Sequence, residues 1–241
     1  MPSYGTFDFV STRWSLVASA NENSPMRQES LAVLCEIYWF PIYAYVRRRG
    51  YQPDDACDLT QELFMGILSR DAFANADPTK GRLRSYLLGA VKHLLAARIR
   101  YAKAQKRGGC VETWSIDWAT AEQRLQWEPS DSRTPEQIFE HRWASSIVAE
   151  TLAALDELNR DPARWDYYRR LRDFLAADKE SLPYAALSKE LGFSESALRV
   201  QVHRLRRKFR ELLKQRVVDT LADPKELDEE MSYLMKCLRN G

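Results

Sequence analysis

The sequence predicts an all-α protein. No stretch of its 241 residues alternates apolar and polar side chains at period two, as a half-buried strand would. Apolar residues recur instead at spacings of three and four through nearly every segment. Proline and glycine fall where helices start and stop, as at Gly50, Pro53, Pro183 and Gly192. Two groups of helices follow, joined by an acidic linker.

Residues 1–28 form an N-terminal extension. Within it, Thr12 to Val17 either start a short helix that lays Trp14 on the next domain or belong to a partly ordered tail. The first domain spans residues 29–109. Its first helix runs from about Gln28 to Arg49, with Leu31, Leu34, Ile37, Tyr38 and Tyr45 as an apolar stripe that Trp39 and Phe40 widen. Pro41 should break or kink it unless it opens a new turn. Arg47, Arg48 and Arg49 suit a helix C-terminus, and Gly50 follows as its stop.

The second helix runs from Asp54 to Arg70 and turns Ala56, Leu59, Leu63 and Ile67 inward. Asp54, Asp58 and Glu62 recur every four residues and share an outer face with Gln61 and Met65. Nothing local pairs with all three acids, so this face is expected to meet a positive partner. Thr60 lies beside it. A phosphate on its hydroxyl would add about −1.5 to −2 charge.

Asp71 to Gly81 is a loop with Asp77-Pro78 and Lys80-Gly81 as turn chemistry. The third helix runs from about Arg82 to Lys106. Leu83, Tyr86, Leu87, Ala90, Val91, Leu94, Leu95 and Ile99 make it amphipathic. Between Arg82 and Arg107 lie eight Lys or Arg residues and no acid. Aromatic residues at the start of so positive a helix suit a nucleic-acid strand with exposed bases. Lys80, Arg82, Arg84, Tyr86, Lys92, His93, Arg98 and Arg100 are the candidate contacts.

Residues 110–134 form the acidic linker, which holds Trp114, Trp118 and Trp127. The second domain, residues 135–216, has helices over about Glu136–Asn159 and Pro162–Ala176, then a helical pair from Pro183 to Leu213. In that pair a short helix from Tyr184 to Leu191 ends at Gly192, and Ser194 is a natural N-cap for a second helix. Leu198, Val202, Leu205, Phe209 and Leu212 form the apolar stripe of this second helix. Its other faces are basic. This is the pattern of a helix-turn-helix that offers its second helix to the DNA major groove. Ser194, Glu195, Ser196, Arg199, Val200 and His203 are placed for bases or nearby phosphates, and Arg204 and Arg207 for phosphates. Residues 217–241 form a C-terminal helical extension. Its stripe of Leu227, Met231, Leu234, Met235 and Leu238 either extends the second core or packs across the domains and modulates access to them.

Composition agrees with a protein built to bind. Hydrophobic residues at 45% suffice for compact cores, and the net charge of +2 conceals alternating basic and acidic runs. Cys35, Cys57, Cys110 and Cys237 are far apart and three histidines are scattered, so neither a zinc site nor a disulfide framework is expected. No cofactor and no catalytic constellation is expected either. A reducing cytoplasm fits, with no membrane partner, since no apolar run nears the ~20 residues of a membrane span.

With these residues in place, the chain resembles a bacterial alternative RNA polymerase sigma factor of the extracytoplasmic-function type. The resemblance covers roughly Glu29 to Arg216. An acidic motif of the family's second conserved region corresponds to Asp55-Ala56-Cys57-Asp58-Leu59-Thr60-Gln61-Glu62, with Cys57 in place of an acid and Thr60 in place of an aliphatic residue. The loop and basic helix that follow correspond to Asp77 to Leu87 and on through Lys92-His93-Leu94 to Arg98-Ile99-Arg100. Tyr86 and His93 stand where the family commonly has Trp and Asn. The family's fourth region corresponds to Tyr184 to Leu205. The resemblance implies a bundle like region two and a helix-turn-helix domain like region four, joined by the linker.

It also implies partners. Core RNA polymerase would dock on Asp54, Asp55, Asp58, Gln61, Glu62 and Met65. Promoter DNA would be held as duplex by the second domain and as an opened strand by the first. An anti-sigma factor or a regulatory kinase would control the chain. The alternative reading is a helix-turn-helix regulator that binds duplex DNA without core polymerase. It has no need of the acidic face around Asp58.

Overall fold

The computed structural model describes residues 26–68, 82–104, 133–163, 165–175, 184–221 and 223–239. The N-terminal segment with Trp14, the loop with Lys80, and the acidic stretch with Trp114, Trp118 and Trp127 lie outside these residues, as does Pro183. Among the described residues the fold is all-α, with eight α-helices and one short 3-10 turn. They are α1 (Met26–Arg48), α2 (Pro53–Leu68), α3 (Leu83–Ala104), α4 (Pro135–Leu158), α5 (Trp165–Arg172), α6 (Tyr184–Leu191), α7 (Glu195–Val218) and α8 (Leu227–Arg239), with the 3-10 turn Pro224–Glu226 before α8. No helix among the described residues is long and apolar enough to cross a membrane.

The helices fall into two compact units, one within Met1–Ser146 and Val217–Gly241, the other within Ile147–Arg216. This differs from a boundary at Pro135. The first half of α4 and the whole of α8 belong with the first unit, where Trp143 and Tyr233 both lie against Arg84. The C-terminal extension therefore does not extend the second core.

In the first unit α1 packs on α2 and α2 on α3. Helix α1 runs unbroken through Pro41, contrary to expectation. An interior proline costs a helix about 3 kcal/mol. Burial of Ile37, Tyr38, Ile42, Tyr43, Tyr45 and Val46 on both sides of it outweighs that cost. Helix α2 starts at Pro53 with Asp54 and Asp55 in its first turn, where the helix dipole favours acids. Ala56, Leu59, Leu63 and Ile67 are buried as the pattern required. A reciprocal capping box opens α4. Thr134 Oγ1 accepts from the Gln137 amide at 3.2 Å and Gln137 Oε1 accepts from the Thr134 amide at 2.8 Å.

In the second unit Leu171, Tyr184, Leu187, Leu198 and Val202 form a core, with Tyr167, Phe174, Leu191 and Leu205 packed against it. Helix α5 is shorter than its pattern indicated and ends at Arg172. The guanidinium of Arg206 holds the turn after it, with Nη2 donating to the Phe174 carbonyl at 2.7 Å.

Candidate nucleic-acid and protein interfaces

The turn between α6 and α7 is ordered by three local devices. Gly192 has φ of +72°, the left-handed region that a Cβ disfavours. The Ser188 hydroxyl donates to the Phe193 carbonyl at 2.6 Å. Ser194 caps α7, its Oγ accepting from the Ala197 amide at 3.3 Å. With the turn held, Leu198 and Val202 are buried, and Ser194, Glu195, Ser196, Arg199, Val200, His203, Arg204 and Arg207 are all exposed. At 3.6 residues per turn Ser196, Val200, His203 and Arg207 form one line on the outer side of α7. Arg204 flanks it. Arg199 sits at the edge, its guanidinium 4.4 Å from the Tyr184 ring centre and 3.5 Å from Glu195. Arg207 pairs with Glu211 at 3.2 Å, an exposed contact that a phosphate can replace. Gln201 is exposed on the far flank of α7. Sequence reading passed over it because an uncharged residue carries no basic signal, although glutamine is a base-reading type.

The residues expected to face an opened strand do not stay together. Tyr86, His93 and Arg100 are spaced by seven residues each and share one side of α3, and Arg82 lies just before its first turn, four residues ahead of Tyr86. Tyr86 is half-buried, and His93 and Arg100 are exposed. Arg84 is buried, so it leaves the strand-facing set. Its Nε and Nη2 donate to Glu230 at 2.7 and 3.2 Å, and its guanidinium lies 5.2 Å from the Trp143 ring centre and 4.0 Å from that of Tyr233. Burial opposes this charge, but the hydrogen bond and attraction from Glu230 raise its pKa above the ordinary guanidinium value. Two further candidates already carry a partner, each in an exposed ion pair of the kind that a phosphate can replace. Lys92 reaches Glu136 of α4 at 2.9 Å, which holds the Glu136 carboxyl below the usual range. Arg98 bonds Glu62 of α2 at 2.6 Å.

On α2 the expected docking residues do come together. Asp54, Asp58, Gln61 and Met65 lie along one side, and Asp55 and Glu62 border it. All but the half-buried Gln61 are exposed, Met65 to 59%. Glu62 is compensated by Arg98, so the uncompensated acids of this face reduce to its N-terminal part. Thr60 is not a surface hydroxyl. It is fully buried and donates to the Ala56 carbonyl at 2.7 Å, out of a kinase's reach in this conformation.

The tail acids were missed as site residues. Arg82 meets Glu229 at 2.7 Å, Glu230 at 2.9 Å and Glu226 at 3.5 Å. The buried face of α8 is Glu230, Leu234 and Cys237, rather than the stripe that included Met235, which is 45% exposed.

Among the described residues no group of three or more His, Cys, Asp or Glu side chains is placed to hold a metal ion. No family model matches the chain, and no curated protein or solved structure matches it.

Proposed function

We propose that this chain is a sigma factor of the extracytoplasmic-function type, a non-enzymatic subunit that binds core RNA polymerase, recognises a promoter and holds its opened strand. The observation that carries the DNA-reading part is the exposed row Ser196, Val200, His203 and Arg207 on a helix whose N-terminus is set by an ordered turn. The acidic side of α2, with Met65 beside Asp58, supports the polymerase part, because a duplex-only regulator has no use for an exposed acid-and-methionine face. The row Tyr86, His93 and Arg100 supports the strand-holding part: an aromatic ring for base stacking, with a cation two turns beyond His93.

The test is co-purification of the full chain with core polymerase, followed by transcription from promoters selected by the reconstituted complex. Specific duplex binding without polymerase association would favour the regulator reading instead.

Two substitutions probe the interfaces. Arg199→Ala should cost about 1–3 kcal/mol of binding at a single promoter position if Arg199 reads a guanine. Measured across a set of single-base promoter variants, uniform weakening would make it a phosphate contact. Arg100→Ala should reduce the salt slope of single-strand binding by roughly 0.7. Arg98→Ala should reduce it less, because Glu62 competes with phosphate for that guanidinium. A salt titration of both variants checks the pair, and a larger effect from Arg98→Ala would reject Arg100 as the main strand contact.

A further inference from the structure

Arg82 lies just before α3, four residues ahead of Tyr86 in the strand-facing row, and it is already occupied. Three carboxylates surround it, from Glu226 in the 3-10 turn and from Glu229 and Glu230 in the first turn of α8. Glu230 is also the partner of Arg84. Three negative charges therefore meet two positive ones at this end of α3, which leaves it net negative where a strand phosphate would need it positive.

The three acids do different things. Glu230 is fully buried and, with Leu234 and Cys237, fastens α8 to the first unit. Glu226 and Glu229 are not needed for that. Their side chains are 47% and 73% exposed against 19% for Arg82, so solvent screens the acid side of both pairs. The turn that presents Glu226 is nevertheless shaped, with Asp223 Oδ1 accepting from the Lys225 amide at 2.9 Å. Two weakly held carboxylates on an arginine are a contact that a phosphate can displace.

We propose that Glu226 and Glu229 form an acidic cap that occupies Arg82 in place of nucleic-acid phosphate, so that a single strand must displace them to engage the start of α3. The C-terminal extension is then a built-in competitor that holds strand binding down. The proposal rests on the promoter reading, in that it takes the Arg82–Arg100 side of α3 to be the strand site.

The test is binding of a mixed-sequence single-stranded DNA of about 16 nucleotides to full-length chains across a salt range. Glu226→Gln/Glu229→Gln leaves the Glu230–Arg84 anchor in place. It should tighten binding on the order of fivefold, the scale of an exposed ion pair, and steepen the salt slope by roughly 0.7. Adding Arg82→Ala to that variant should remove both gains. Glu157→Gln/Asp161→Asn, the same charge change on exposed acids of the second unit, should produce neither. Equal binding by wild type and the capless variant, or an equal gain from the control, overturns the cap while promoter-directed transcription by the wild-type chain keeps the underlying reading intact. If no form binds the strand at any salt and transcription fails too, cap and reading fall together.

Discussion

Replacing Arg84 by alanine should destabilise the first unit by about 3–5 kcal/mol, the usual cost of breaking a buried ion pair from one side. Arg84 and Glu230 are both buried, and 146 residues of sequence separate them. The guanidinium gives Glu230 two hydrogen bonds and lies over the rings of Trp143 and Tyr233. Alanine removes the charge and its contacts with both rings, while Glu230 keeps only the contact with Arg82. The loss should appear as faster hydrogen exchange in α8 and the start of α3. Replacing Arg84 and Glu230 together by methionine should recover most of it, because an apolar pair of similar volume carries no desolvation cost. A single-variant loss below about 1 kcal/mol, the range of a surface pair, would mean that Arg82 alone satisfies Glu230.

Reversing Asp58 to lysine should weaken core-polymerase affinity by at least about tenfold, or roughly 1.4 kcal/mol. Asp58 is exposed at the middle of an acidic side of α2, between Asp54 and Met65. Like charges across an interface are costly, so a lysine there should repel a basic partner surface. The buried side of α2, with Ala56, Leu59 and Leu63, is untouched, so thermal stability and duplex binding through α7 should stay at wild-type values. Glu62→Lys is a weaker test of the same idea, since Glu62 already has Arg98 as a partner and its reversal also frees that arginine. Wild-type polymerase affinity in the Asp58→Lys chain would reduce the acidic stripe to a solvated face.

The helices were legible because their signals are local. Proline at a helix start, glycine with positive φ at its end and apolar residues every three or four positions act within a few residues of one another, and α2, α3, α6 and α7 follow them closely. The turn between α6 and α7 was legible for the same reason, since Gly192, Ser194 and the Leu198–Val202 stripe all lie within eleven residues. The outer faces of α2 and α7 could be read from periodicity alone, because exposure of a helix face is fixed once its apolar side is known.

What only the tertiary structure decided were the long-range pairings. A dense positive helix looks uniform in sequence, yet four cations on or just before α3 meet acids from other segments. Arg84 is buried against Glu230, Lys92 holds Glu136, Arg98 holds Glu62, and Arg82 carries the tail acids. Pro41 stayed inside a helix because the surrounding core outweighed its local preference. The tail joined the first unit because Glu230 found arginines there, and its own period of apolar residues was equally compatible with the second core. Charge complementarity between segments 146 residues apart leaves no periodic mark on either one. Local chemistry therefore determined which helices form and which sides face out, and packing determined which of the exposed charges are still available to a partner.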